Sequence, residues 1–152
     1  VSPYTGIYDE RKSIEYITFA TRGNGTFFGD LTSGIMARSG GALSSHTRGI
    51  FAGSNPGSPA PANKSEVIEY ITIATLGDSL DFGDLTSACT SLMGTSNNTR
   101  GIFAGGYASP SEINTIQYLT IGSLGNAIDF GDLSGAKGYL PVAYSDSHGG
   151  IE

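Results

Sequence analysis

The chain has 152 residues, of which 23 are Gly and 14% are Asp, Glu, Lys or Arg, and its net charge is −6. Such a chain is dense in turns and poor in helix formers, and its acidic balance argues against nucleic acid as a partner, because phosphate groups would repel it. Its hydrophobic share of 38%, with 7 Phe and 8 Tyr, excludes an intrinsically disordered chain, since these side chains offset the entropy lost on ordering.

Residues 1–34 predict the second half of a repeat unit. The sequence IEYIT covers residues 14–18, and the sequence FGDL follows at residues 28–31. Close copies return at residues 68–72 and 82–85, and again at residues 116–120 and 130–133. The repeated Tyr and the repeated Asp are 14 positions apart every time (16 to 30, 70 to 84, 118 to 132). A distance kept without insertion predicts one compact hairpin in each copy.

Residues 35–86 predict a complete unit of four strands. The third predicted strand, residues 67–75, is a β-branched and aromatic run without Pro or Gly, which is typical of a strand covered on both faces. Gly77 and Asp78 then predict a turn that brings the chain back antiparallel. The four predicted strands cover residues 40–43, 50–52, 67–75 and 80–85.

The connection between the second and third of these strands, residues 54–64, is longer than its counterpart in the next unit. It holds Pro56, Pro59 and Pro61, which cannot donate hydrogen bonds to a sheet. Insertions that cluster at one point of a repeat mark a surface loop. We therefore expect an exposed loop here, at a place where function would vary.

Residues 87–134 predict a second complete unit, and residues 135–152 predict the first half of another. The sequence RGIFAG at 48–53 recurs at 100–105, and its beginning returns as GGI at 149–151. Residues 91–94 and 139–143 correspond to the first strand at 40–43. Two complete units between two complementary halves make about three repeat equivalents.

Four short strands in units of 54 and 48 residues (Tyr16 to Tyr70, Tyr70 to Tyr118) match the strand count of a β-propeller blade. The sequence therefore predicts an all-β fold of four-stranded antiparallel blades, with a β-solenoid or a β-sandwich as the competing architectures. Fewer blades are present than the four or more that close a ring. We expect either a longer polypeptide or copies that complete each other, and two copies would give a six-bladed ring.

The residues also resemble a known repeat family. Ala104-Gly105-Gly106 is similar to the diglycine that ends a strand in kelch repeats, and the next predicted strand carries a Tyr, Tyr118, as the kelch strand does. Residues 37–41, which include Arg38, resemble the innermost kelch strand. The sequence IEYITIAT followed by DFGDL resembles kelch-like repeats in large virion and tail-fibre proteins of tailed phages. The resemblance implies a virion or extracellular location and a structural or host-attachment role, with other protein chains or a host surface glycan as partners.

A motif that suggests chemistry occurs twice in the sequence. Asp81-Phe82-Gly83 and Asp129-Phe130-Gly131 spell the metal-binding triplet of protein kinases. The chain lacks the accompanying phosphate loop and His-Arg-Asp loop, and the triplet recurs with the repeat period, which indicates a structural role. A repeated Asp beside Gly is predicted to cap a turn by accepting backbone N–H groups.

The other reactive side chains of the sequence give no reason to predict a catalytic, cofactor-binding or metal-binding residue. The sequence does not identify the residues that bind a ligand. Cys89 has no second thiol with which to form a disulfide or a zinc cluster. His46 and His148 occupy comparable repeat positions, so they do not form a catalytic pair, and Asp30, Asp84 and Asp132 fall too far apart for a calcium ring. Arg48 and Arg100 recur too, and we expect them to bond carbonyl groups of the neighbouring blade, whereas Arg38 is a candidate ligand contact.

These observations favour a non-enzymatic structural or adhesion module that presents loops on a repeated scaffold. No apolar run approaches the roughly 18 residues that cross a bilayer, so no membrane partner is predicted. The alternative is a propeller domain of a carbohydrate-active or oxidative enzyme with a site at the central channel. The predicted innermost strands, residues 39–45 and 90–95, consist mostly of Ser, Gly, Ala and Thr. This composition favours a central channel with an inert lining over a channel with a catalytic site.

Overall fold

The computed structural model describes residues 12–32, 40–54, 64–138 and 143–145. These ranges contain strands and turns, and none of their segments is a helix that could cross a membrane. The predicted all-β class is confirmed. The strands are β1 Ser13–Tyr16, β2 Thr26–Asp30, β3 Gly41–Ser44, β4 Arg48–Ser54, β5 Ser65–Thr72, β6 Leu80–Cys89, β7 Met93–Ser96, β8 Arg100–Ala104, β9 Tyr107–Ala108, β10 Ser111–Glu112, β11 Thr115–Thr120 and β12 Ile128–Asp132.

The described strands form antiparallel sheets in the order of the sequence repeat. One four-stranded sheet has the order β3-β4-β5-β6 and the other the order β12-β11-β8-β7. Strands β1 and β2 form a two-stranded sheet, and β9 pairs with β10 in a small hairpin between β8 and β11. The two predicted four-stranded units are therefore confirmed as sheets, which we call sheet A (β3 to β6) and sheet B (β7, β8, β11 and β12).

The constant spacing of 14 residues corresponds to the same hairpin three times, as predicted. Each hairpin has a register shift directly after the repeated Ile, and the ladder skips the Phe of the FGDL sequence. A β-bulge of this kind re-aims a side chain. The skipped Phe meets the repeated Tyr edge to face, with ring centroids 6.2, 5.9 and 6.0 Å apart in the pairs Tyr16–Phe28, Tyr70–Phe82 and Tyr118–Phe130.

Several strand limits differ from the prediction. Strand β5 ends at Thr72 and not at Thr75, because residues 73–75 already form the turn. Strand β6 continues to Cys89, and its last residue pairs with Ser65 at the start of β5. The hairpin of β9 and β10 was not predicted, since no other unit contains its sequence. Most of the predicted strand 139–143 and of the loop 54–64 lies outside the described residues.

The hydrophobic core lies between sheets A and B. Phe103 of β8 and Ile50 of β4 are fully buried, and Leu43 of β3 packs in the same cluster. Strands β3 and β7 approach closely enough for the Ser96 hydroxyl to donate to the carbonyl oxygen of Ser44 at 2.6 Å. At Gly41, a Cβ atom would lie 2.9 Å from the Phe103 ring, so the close packing requires glycine there. The edge strands β3 of sheet A and β7 of sheet B are thus neighbours.

Candidate functional site: the contacts between neighbouring sheets

The turn after β5 docks on β2 of the preceding hairpin, and we call this the first contact. Gly77 N donates to the carbonyl oxygen of Phe28 at 3.0 Å, and Ser79 N donates to that of Asp30 at 2.9 Å. Between these bonds, Asp30 N donates to the side-chain Oδ1 of Asp78 at 2.9 Å. A turn in sheet A therefore extends the edge of the preceding sheet by three hydrogen bonds.

The turn after β11 docks on β6 in the same way, and we call this the second contact. Gly125 N donates to the carbonyl oxygen of Phe82 at 2.9 Å, and Ala127 N donates to that of Asp84 at 2.8 Å. Asp84 N donates to Oδ1 of Asn126 at 3.0 Å. The kinase-like triplet thus contributes Phe82 and its neighbours to a contact between sheets.

Glycine is required where the docking turn crosses the strand. Gly83 has a φ of +146°, and a Cβ atom there would lie 2.5 Å from the carbonyl oxygen of Gly125. Gly29 likewise faces the backbone of Gly77 at the first contact. Gly131, at the equivalent place on β12, keeps a φ of +145°, yet no described atom lies within 4 Å of a Cβ placed there. The same backbone geometry is therefore present where no turn is docked.

Beside the three bonds, the first contact buries a carboxyl group. Glu69 is 1% exposed, and its Oε1 accepts from the Thr32 hydroxyl at 2.8 Å. Its Oε2 accepts from the hydroxyl of Ser79 at 2.8 Å, and that hydroxyl in turn accepts from Thr32 N at 3.0 Å. Buried polar groups need such partners, because an unsatisfied one costs about 1–3 kcal/mol.

At the second contact an amide takes the place of the carboxyl group. Gln117 is fully buried, and its Oε1 accepts from both the backbone N (2.9 Å) and the hydroxyl (3.1 Å) of Thr86. Ala127 stands where the first contact has Ser79, so that hydroxyl is missing. Among the described buried side chains, Nε2 of Gln117 is left without a hydrogen-bond partner.

Of the two recurring arginines, Arg48 joins neighbouring sheets, as expected, whereas Arg100 contacts a ring of its own sheet. The Arg48 guanidinium lies 4.6 Å above the Tyr70 ring and donates to the carbonyl oxygen of Ile121 in the neighbouring sheet at 2.7 Å. Arg100 lies 4.7 Å above the equivalent Tyr118 ring and is exposed. Arg38 lies outside the described residues.

The remaining candidates do not form a reactive cluster in the described ranges. Burial away from water raises the pKa of the Cys89 thiol to about 11, although Lys64 opposes the shift, so the thiol is protonated at neutral pH. His46 is exposed, and His148 lies outside the described residues. No three His, Cys, Asp or Glu side chains among the described residues are close enough to hold a metal ion.

Turn capping by the repeated Asp residues differs from one position to another. Asp129 accepts from Gly131 N at 3.1 Å, but both residues lie within strand β12, so this bond is at the β-bulge and not in a turn. Asp30 and Asp84 contribute their backbone groups to the contacts, and the capping side chains come from Asp78 and Asn126, one repeat later in the chain. Sequence reasoning predicted a turn at Gly77 and Asp78 but missed its docking on the preceding strand, although the glycine that recurs seven positions after each repeated Tyr was the available signal.

Two exposed turns lie side by side at the ends of β3 and β7. Residues 45–47 link β3 to β4, and residues 97–99 link β7 to β8. In the first turn Ser45 Oγ accepts from Arg48 N at 3.2 Å, and in the second Asn97 Oδ1 accepts from Arg100 N at 2.7 Å. Both turns are therefore fixed by capping while their central residues, His46 and Asn98, face solvent.

The chain matches no family model, and a search of curated proteins also found no match.

Proposed function

We propose that this chain is a segment of a kelch-like β-propeller that serves a virion or tail-fibre protein of a phage as a non-enzymatic structural and adhesion module. The observation that carries the proposal is the use of the repeated polar residues. Asp30, Asp84, Glu69, Gln117 and Arg48 bond neighbouring sheets, so the most regular chemistry of the chain holds the scaffold together. Side chains at exposed turns are then available to differ from repeat to repeat.

The capped turns at residues 45–47 and 97–99 are the surface that this module would present. They share one scaffold position but carry different sequences, SHT and NNT. A rigid backbone limits the entropy lost on binding, and hydroxyl, amide and imidazole groups suit the hydroxyl-rich surface of a carbohydrate. The proposed ligand is therefore a glycan of the host surface, or a subunit of the same virion.

The alternative of an enzyme with a site on the inner strands finds less support. The exposed side chains of β3 are those of Ala42 and Ser44, and β7 has the sequence MGTS. General acid–base catalysis needs carboxyl, imidazole or similar groups in reach of a substrate. The described strands β3 and β7 carry none.

A glycan array probed with the full chain tests the adhesion proposal. We expect retention on a subset of bacterial surface polysaccharides, and loss of that retention in the double variant His46→Ala/Asn98→Ala. Ser87→Ala, an exposed change on β6, is the matched control and should bind as the parent does. A parent chain that no polysaccharide and no host envelope retains would contradict adhesion.

A further inference from the structure

The chain has two open edges that carry the two halves of the contact between sheets. The hairpin of β1 and β2 ends in a turn that docks on nothing described, and we call its residues Glu15, Phe19, Gly23, Asn24 and Gly25 the leading edge. In sheet B, no described turn docks on strand β12, and we call Arg100, Phe130, Gly131, Asp132 and Ser134 the trailing edge. We propose that the trailing edge of one copy binds the leading edge of a second copy.

Backbone groups supply the core of this contact. The leading turn has Gly23 and Asn24 at the places of Gly77 and Asp78, seven and eight positions after the repeated Tyr. It also begins with the same bond, from Thr21 N to the carbonyl oxygen of Thr18 at 3.3 Å, as the turns of the other units do. If the leading turn docked on β12 of a second copy as the other turns dock on β2 and β6, Gly23 N and Gly25 N would donate to the carbonyl oxygens of Phe130 and Asp132. Asn24 would accept from Asp132 N.

Large apolar side chains of both edges are exposed among the described residues. Phe130 is 54% exposed, whereas its counterparts Phe28 and Phe82 are 7% and 2% exposed. Phe19 is 99% exposed, whereas its counterparts Ile73 and Ile121 are 46% and 1% exposed. Burial of large apolar side chains is favourable by roughly 25 cal/mol per Å². Covering one edge with the other would restore the burial that the inner units have.

Two polar pairs would complete the match. Ser134 occupies the position of Thr32 and Thr86, which bond Glu69 and Gln117 of the next unit. The counterpart of those acceptors is Glu15, which is exposed and lies against Gly25. Ser134 of one copy would thus donate to Glu15 of the other.

Arg100 provides the second pair. Arg48 reaches the carbonyl oxygen of Ile121 in the next sheet, and the counterpart of that carbonyl group is the one of Phe19. The Arg100 guanidinium is held above Tyr118 in the same way as that of Arg48 above Tyr70. It would therefore donate to Phe19 of the second copy. A second copy is the occupant we choose because this chain itself carries every group that its trailing edge lacks.

Native mass spectrometry and sedimentation of the full chain test the proposal. We expect species of two or more copies of the 15.7 kDa chain at micromolar concentration. Ser134→Glu places a carboxylate against Glu15 and should raise the dissociation constant about tenfold or more, because like charges across an interface are unfavourable. Ser134→Gln, of similar size without charge, should still associate.

Charge exchange separates this contact from any other. Adding Glu15→Lys to Ser134→Glu should restore association, since the two new charges attract. Circular dichroism should show the same fold for all variants, because residues 15 and 134 are exposed in the single chain. A parent chain that stays monomeric overturns the proposal, and so does an assembly that Ser134→Glu leaves intact. Glycan binding is a separate readout, because the exposed turns at 45–47 and 97–99 contribute no residue to either edge.

Discussion

The first and second contacts share one backbone arrangement and differ in the polar group that they bury. Three hydrogen bonds of 2.8–3.0 Å recur in both, from the turn of one unit to the strand of the unit before it. Beside them, the first contact satisfies both oxygens of Glu69 with hydroxyl groups. The second contact satisfies the side-chain oxygen of Gln117, but its Nε2 has no partner in the described part of the chain. The backbone bonds thus tolerate a change in the buried side chain.

The largest expected effect comes from blocking the second contact at its glycine. Gly83→Ala places a Cβ atom against the Gly125 carbonyl oxygen at a φ of +146°, and overpacking together with backbone strain should lower the free energy of unfolding by about 3–5 kcal/mol. Gly131→Ala has the same strain with nothing to meet and should lose only about 1–3 kcal/mol in dilute solution. Urea unfolding measures both, and equal losses would contradict the docking role.

Removing the buried carboxyl group tests the first contact. Glu69→Ala leaves the Thr32 and Ser79 hydroxyl groups without their acceptor and opens a cavity, so unfolding free energy should fall by about 2–4 kcal/mol. Glu69→Gln copies the second contact and should cost less than half as much, since Ser79 can accept from the new amide. Thermal and urea unfolding report the difference. A Gln variant as unstable as the Ala variant would argue that the two contacts are not interchangeable.

Alkaline pH tests the packing at the end of β6, where Cys89 is buried next to the Thr90–Tyr107 bridge to the β9–β10 hairpin. The folded pKa of about 11 exceeds the usual value of 9.0, so the neutral thiol stabilises the fold below pH 9, and this contribution is lost as pH rises toward 11. At pH 10 the loss should be about 1 kcal/mol. Unfolding of wild type and Cys89→Ala from pH 8 to 10 measures it, and a constant difference between them would contradict it.

The arginine pair gives a smaller contrast. Arg48→Met removes the bond to the Ile121 carbonyl oxygen and should cost about 1–2 kcal/mol. Arg100→Met, which loses the stacking on Tyr118 and no described carbonyl bond, should cost about 0.5–1 kcal/mol in dilute solution. Chemical denaturation of the two variants in parallel provides the comparison, and it fails if Arg100→Met is the more damaging.

The smallest expected effect is a gain. Ala127→Ser gives the second contact the hydroxyl that the first has in Ser79, and Nε2 of Gln117 acquires an acceptor. We expect a stabilisation of about 0.5–1 kcal/mol, the net value of an ordinary hydrogen bond. In the background Gln117→Ala the same substitution should give no gain. Differential scanning calorimetry of the four proteins completes this double-mutant cycle.

The repeat made much of this architecture predictable. The constant Tyr-to-Asp distance gave the three hairpins, and the recurrence of Arg48 gave its carbonyl bond to the next sheet. A repeat shows which residues are equivalent but not which unit each one touches, so the docking of Gly77 on Phe28 was not visible. The β-bulge escaped notice as well, because Phe82 fits an uninterrupted strand equally well by composition.

Other features are absent from the repeat altogether. The hairpin of β9 and β10 occurs in one unit, so comparison with the other units could not reveal it. Each of its strands has only two residues, which is too short to give a recognisable strand pattern. The partner of the buried Gln117 was not predicted either, since a repeat does not show which strand covers a polar side chain. Non-local packing decides such positions.

The backbone character of the contacts has an evolutionary consequence. Four of the six docking bonds join main-chain donors to main-chain acceptors, and the other two end on an Asx side chain that is Asp in one unit and Asn in the next. If a gene segment encoding one unit were duplicated or deleted in frame, the units on either side would therefore still form the same hydrogen-bonded contact. Stability in such arrays is a sum over neighbours, so unit number can change without compensating mutations. Recombination among related genes could then exchange exposed turns while every such contact stays the same.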